Sequence, residues 1–241
     1  MTEEDRVTHK TVETDFDALA EEFSFWAQTF EQRRYHQVLR VLPQHVNRAL
    51  DAGSCSGKLS VRLAKHARHV VATDISRSML ALAKKRQNAQ HDGNVDFVVA
   101  DLESLPFVEH TFDLVVSNGA LHHTRLSVSL PRLRKLVKPG GRMLIHDLVS
   151  SYPRLHAYRA WHVLRALMSA PVYARSYGLH TMWRILAFRT SRAWLRHVED
   201  DNNAWVTPEA FQESYSRFLP GCKFERLGWE MTAFWEAPRE G

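Results

Sequence analysis

The sequence predicts a doubly wound α/β protein with a mostly parallel, seven-stranded sheet, and three observations carry that expectation. Short apolar runs at Arg48–Leu50, His69–Thr73, Val95–Val99, Phe112–Val116 and Arg142–His146 have the length and texture of strands buried on both faces. Helical stretches at Gly57–His66, Ser78–Gln90 and Leu126–Val137 fill the gaps between them, which is the strand-helix alternation of a parallel sheet. The tail adds strands at Lys223–Leu227 and Glu230–Trp235 behind a helix that Thr207 caps and Pro208 opens.

Two segments flank this pattern. Apolar residues at helical spacing (Phe16, Leu19, Phe23, Phe30, Val38, Leu42) predict one or two N-terminal helices closed by Pro43. Residues 151–198 predict two further helices, roughly Leu155–Met168 and Thr181–His197, parted by a break from Pro171 to Gly178. The expected organisation is a single domain: a helical cover (1–43), a ligand-binding core (44–150), a helical lid inserted after the fifth strand (151–205), and a last helix with the final two strands (206–241).

A length of 241 residues with 44% hydrophobic and 24% charged content suits a globular domain with a real core. Cys55 and Cys222 form no disulfide framework and have no metal-ligand spacing, so no metal is expected and a reducing compartment is. Met1–Val12 is polar, and no run reaches the roughly 18 apolar residues of a membrane span, so the expected location is the cytoplasm. The formal charge of +5 favours anionic partners without specifying them.

The chemistry concentrates at the expected strand ends. Asp51-Ala52-Gly53-Ser54-Cys55-Ser56-Gly57 puts small residues between the first strand and its helix, where backbone amides approach a ligand closely. The second strand ends in Asp74, whose carboxylate can accept from two ribose hydroxyls. Asp101 ends the third, and Ser117-Asn118-Gly119-Ala120-Leu121-His122-His123 follows the fourth. Four polar strand ends thus converge on one edge.

With these motifs the sequence resembles the class I S-adenosylmethionine (SAM)-dependent methyltransferases, especially the small-molecule branch of ubiquinone and menaquinone biosynthesis, over roughly Phe16 to Val149. The resemblance implies SAM as cofactor and methyl transfer of the EC 2.1.1 class. It implies that Asp51, Gly53, Ser54, Cys55 and Gly57 form the loop at the methionine portion. Asp74 would hold the ribose with Ile75 and Met79 beside the adenine, Asp101 with Leu102 would meet the adenine amino group, and Asn118 would face the sulfonium end. It also suggests that the N-terminal helices cover the cofactor, and leaves open whether Arg33, Arg34 and Tyr35 in them help close the site. One departure stands out: Cys55 occupies the middle glycine position of the family loop, which predicts a shifted loop or weaker affinity.

Transfer from SAM needs alignment more than a strong catalyst, yet a hydroxyl or acidic-carbon acceptor calls for a base. His122 and His123 after the fourth strand, and His146 and Asp147 at the end of the fifth, are the candidates. The 151–198 segment holds eight arginines, no lysine and no acid. Its expected first helix puts Ala157, Trp161, Leu164 and Met168 on one face, with Arg159, His162 and Arg165 off it. Three readings follow: a packed cover, a site for an anionic or hydrophobic acceptor, or peripheral contact with a membrane surface.

Other classes fit less well. A nicotinamide dehydrogenase needs Gly-x-Gly-x-x-Gly directly after the first strand, which is missing. RNA methylation ranks lower because the segment at Asn118 lacks an Asn-Pro-Pro-aromatic signature, so nucleic acid is a disfavoured partner. A protein of this fold that binds SAM without transferring its methyl stays open, since activity belongs to the site.

Overall fold

The computed structural model of the protein describes residues 3–27, 35, 38–40, 42, 46–90, 94–152, 158–200 and 206–239. Seven strands form one sheet: β1 (Val46–Ala52), β2 (Ala67–Asp74), β3 (Val95–Val99), β4 (Phe112–Asn118), β5 (Val137–Leu148), β6 (Lys223–Leu227) and β7 (Glu230–Glu236). Their order is β3-β2-β1-β4-β5-β7-β6. The first five pair in parallel, and β7 runs antiparallel to both β5 and β6.

Both faces of the central strands are apolar, as a parallel sheet covered on two sides demands. Successive β1 residues show it. Leu50 joins a cluster with Phe112, Leu133, Phe211 and Trp235, while Ala49 joins Leu59, Leu63, Val70 and Leu114 on the other face. The first cluster is closed by α4 (Leu126–Leu136) and α7 (Pro208–Phe218), and the second by α2 (Lys58–Leu63). Thr207 caps α7 by accepting from the Ala210 amide at 3.2 Å.

The sheet reverses its order between β1 and β4, and ligands of open α/β sheets bind beside such a point at the carboxyl ends of the strands. Two helical elements sit above that edge. The long α1 (Glu3–Ala27) is tied down by polar contacts, Asp17 accepting from the Ser76 hydroxyl at 2.5 Å and the Ser78 amide at 3.0 Å. Further along, Ser24 bonds Ser56 at 2.9 Å, and Lys58 Nζ donates to the Ser24 carbonyl at 2.9 Å. The inserted α5 (Arg159–Arg189) and α6 (Arg192–Asp200) pack on α1 through Phe25, Trp26, Tyr173, Ile185, Phe188 and Trp194.

The insertion departs from the sequence expectation in three ways. The break expected from Pro171 to Gly178 contracts to one residue: the helix runs through Pro171, and only Gly178 leaves helical geometry, at φ 83° and ψ 163°. Pro171 and Leu167, one turn before it, are both exposed, so the carbonyl that loses its donor faces water. The expected helix Thr181–His197 is cut at Thr190, because Ser191 accepts from the Trp194 amide at 3.2 Å and starts a new helix.

The third departure concerns the faces of the first inserted helix: of the expected apolar face Trp161 is half-buried but Leu164 and Met168 are exposed, and of the residues off it His162 is buried, Arg165 half-buried and Arg159 exposed. His162, Ala166 and Tyr173 are buried, whereas Leu164, Leu167, Met168 and Val172 are exposed. The helix covers a cavity lined partly by polar groups, and His162, Arg165 and Ser169 line it. Phe30, Arg33, Arg34, Pro43, His91, Arg154, Leu155 and Ala157 lie outside the described residues; Tyr35 is buried, with the Arg62 guanidinium 4.9 Å from its ring centroid.

Candidate functional site

The turn after β1 is shaped by two constraints at Gly53. Its φ of +77° disfavours a side chain, and an added Cβ would stand 2.2 Å from the Ala120 Cβ. The amides of Gly53 and Ser54 both donate to the Thr73 carbonyl, at 2.9 and 2.8 Å, which fastens the turn to the tip of β2. Cys55 follows in the left-handed region at φ 50°. Its amide donates to Asp74 Oδ2 at 2.8 Å, and its sulfur rests 3.5 Å from Met79 Sδ.

Asp74 is the junction of this region. Its carboxylate also accepts from the Ser76 amide at 2.9 Å. Burial pushes this carboxyl up, and the Ser76 and Cys55 amides with the charge of His123 offset that only in part.

One cavity of about 450 Å³ runs from this turn to the insertion, within the usual ligand-pocket range of roughly 300–1,000 Å³. Of the expected cofactor residues, Gly53, Ser54, Cys55, Asp74, Ile75, Met79, Asp101, Leu102 and Asn118 line it. Two expected contacts do not. Asp51 lies beneath the turn, 1% exposed, accepting from the Ser60 hydroxyl at 2.6 Å, and burial pushes its carboxyl up to about 7. Gly57 backs onto α3 (Arg77–Gln90), where an added Cβ would meet Ala83 Cβ at 2.6 Å. Both residues shape the turn from behind its lining.

The histidine candidates separate in the same way. His122 and His123 line the cavity within a short 3-10 turn, Leu121–His123, their rings 4.0 Å apart. Asp147 reaches the cavity through His122, Oδ1 lying 2.5 Å from Nδ1 and Oδ2 accepting from the His122 amide at 3.2 Å. Burial alone would raise the Asp147 carboxyl, but the charge and hydrogen bond of His122 and the Leu148 amide outweigh it and hold it below the usual carboxylate range. His146 is not in the wall. It is 2% exposed between Thr232, whose Oγ1 is 2.8 Å from Nδ1, and Glu230. Residues alternate faces along β5, so His146 and Asp147 point to opposite sides of the sheet and only one can approach the turn of His122.

Sequence reasoning missed the far end of the cavity. His162, Arg165, Ser169, Tyr173, Arg189 and His197 all face it from the insertion. The one available signal was eight arginines without an acid, which marked the segment but not which guanidinium turns inward.

A doubly wound sheet whose acidic tips and glycine turn line a cavity at the switch point defines a protein that binds a nucleoside-type ligand at its strand ends. Residues 50–145 match the family model described as a methyltransferase domain. That match and the relatives below support a class I SAM-dependent methyltransferase.

The malonyl-acyl-carrier-protein O-methyltransferase of Pseudescherichia vulneris is 31% identical over 166 residues, which are 68% of this chain and 63% of that protein. The demethylmenaquinone methyltransferase of Renibacterium salmoninarum is 26% identical over 176 residues, 72% of this chain and 70% of that one. Thus the chain spans less than two thirds of the first relative's length. Among solved structures, the (4+2)-cyclase SpnF superposes with a TM-score of 0.61 at 15% identity, covering 95% of this chain and 96% of that one. A fold shared with a cyclase does not by itself assign methyl transfer. Among the described residues no helix is long and apolar enough to cross a membrane.

Proposed function

We propose that the protein transfers the methyl group of SAM to a small-molecule acceptor by in-line attack. The carrying observation is one continuous cavity that joins the glycine turn, Asp74 and Asp101 to His122, His123 and the insertion. Two buried polar atoms in its wall support SAM as the occupant of the first half, because Ser54 Oγ and Asn118 Oδ1 have no hydrogen-bond partner among the described residues. The ammonium and carboxylate of a methionine moiety supply the donors and acceptors they need. Asp74 would hold the ribose hydroxyls, Asp101 and Leu102 would meet the adenine, and Ile75 and Met79 would flank it.

Bound SAM supplies a methyl group already activated by its positive sulfur. The residues of the chain then align the acceptor, exclude water and move one proton. His122 fits the proton step: Asp147 engages Nδ1, which leaves Nε2 as the basic nitrogen, and orients the ring. His123 completes the wall between the two halves. Incubating the full chain with SAM and a panel of anionic aromatic, lipid-like and neutral hydroxyl acceptors, and measuring S-adenosylhomocysteine (SAH) release, tests the reading. Tight SAM binding with no acceptor-dependent SAH would favour a SAM-binding protein with other chemistry.

A second reading places the insertion against an anionic membrane surface. The exposed row Leu164, Leu167, Met168 and Val172 continues past Gly178 with Leu179 and Trp183, each exposed, on a segment of eight arginines and no acid. An apolar face flanked by cationic side chains suits the headgroup boundary. Vesicles with phosphatidylglycerol are expected to sediment the full chain at low salt and release it at high salt, with Met168→Glu and Trp183→Glu both weakening capture. Equal recovery with neutral and anionic vesicles would remove this reading.

A further inference from the structure

The far end of the cavity carries a charge pattern that the cofactor does not explain. Arg189 is 6% exposed and lines the wall, yet its Nε has no hydrogen-bond partner and no carboxylate lies within ion-pair distance among the described residues. Its guanidinium interacts with the Tyr173 hydroxyl and stands 6.0 Å from the Trp26 ring centroid. Arg165 enters the same wall from one helical face of α5 and lies 4.7 Å from the Trp229 ring centroid. The Arg189 charge acts on Arg165 from the same wall.

Two cations therefore share a partly dehydrated wall. Burying the Arg189 charge with no carboxylate in reach among the described residues is costly, and a neighbouring like charge adds to that cost. Burial first, and then the Arg189 charge, lowers the affinity of Arg165 for its proton, which is the direction expected of a wall that awaits an anion. Arginine rather than lysine suits this task, since a planar fork meets a carboxylate or phosphate through two parallel hydrogen bonds.

We infer that Arg189, with Arg165 and Tyr173, forms an anion subsite that makes the methyl acceptor a small acid, its carboxylate or phosphate docked here and its apolar or aromatic body held between Trp26 and Trp229. The subsite rests on the methyltransferase reading only for the word acceptor. The anion is expected at this end whether or not SAM occupies the other. Docking an acid here fixes the body of the molecule against the wall that His122 and His123 share, so recognition and alignment come from opposite ends of one cavity.

The test compares an anion with its neutral isostere. Calorimetric titration of the full chain, with and without saturating SAH, is expected to show benzoate binding at least tenfold more tightly than benzamide, and inorganic phosphate competing with benzoate. Arg189→Gln should erase that preference while SAH affinity stays within twofold, and Arg189→Lys should restore part of it. Arg165→Gln is the second variant, expected to weaken benzoate severalfold even if Arg189→Gln fails to fold. Equal affinities for benzoate and benzamide in the wild type, or no binding of benzoate and phosphate, would overturn the subsite; so would a folded Arg189→Gln that keeps the preference. A preference for benzoate in a protein that binds no SAH would leave the subsite standing and sink the cofactor reading instead.

Discussion

Replacing Asp74 by alanine is expected to raise the dissociation constant for SAM at least a hundredfold in calorimetric titration of the full chain. The carboxylate stands in the cavity wall beside Ile75 and Met79, at the end of the strand next to the glycine turn. Hydrogen bonds to a charged group contribute about 1.5–3 kcal/mol each, so two ribose hydroxyls lost together exceed the roughly 2.7 kcal/mol that a hundredfold change represents. The substitution also removes the acceptor that holds the Cys55 and Ser76 amides. Asp74→Asn keeps one acceptor oxygen and is expected to fall between wild type and alanine, which separates ribose binding from collapse of the turn. A folded Asp74→Ala protein that binds SAM as wild type does would remove the ribose assignment.

Most of the cofactor half of the cavity was legible in the sequence because its residues are local to strand ends. A short apolar run fixes where a parallel strand stops, and the residues at that tip face the ligand edge: Asp74 and Asn118 are the last residues of β2 and β4, and Asp101 lies two residues past β3. Asp51 breaks it. It is the penultimate residue of β1, paired with Ala72, and so it sits one step below the edge and bonds Ser60 instead. Cys55, which the sequence marks for a shifted loop or weaker affinity, stands in the left-handed region at φ 50°, where a side chain costs about 1–2 kcal/mol.

The acceptor half was less legible because it depends on how distant elements meet. Which side of α5 faces inward is decided by α1 and the sheet edge, so the periodicity that sets His162 and Arg165 apart from Leu164 and Met168 does not by itself show that the first two line the cavity. The same limit applied to Arg189, where only the packing of Phe188 and Trp194 on Trp26 turns the guanidinium toward the cavity. Pairing His122 with Asp147 needed the β4-β5 register, in which Asn118 stands opposite His146 and the next residue on β5 reaches the turn.

That pair carries the second large expected effect. Once an acceptor is in hand, His122→Ala and Asp147→Asn are each expected to lower turnover by roughly 10²–10⁴-fold, the usual contribution of a positioned base, with SAM affinity within about twofold of wild type. Asp147 acts through His122, so the double variant should be little worse than either single one; independent structural damage would instead multiply. The pH dependence of stability gives a readout that turnover does not. The native Asp147 carboxyl is held below its unfolded value, so its charged form contributes stability above about pH 3.9, and that contribution is lost as pH falls through the lower folded value. Asp147→Asn should therefore be less stable than wild type near pH 7, with the difference narrowing toward pH 3 in urea titrations. A gap that stays constant with pH would mean the carboxylate is not charged against His122, and a variant with full turnover would remove His122 as the base.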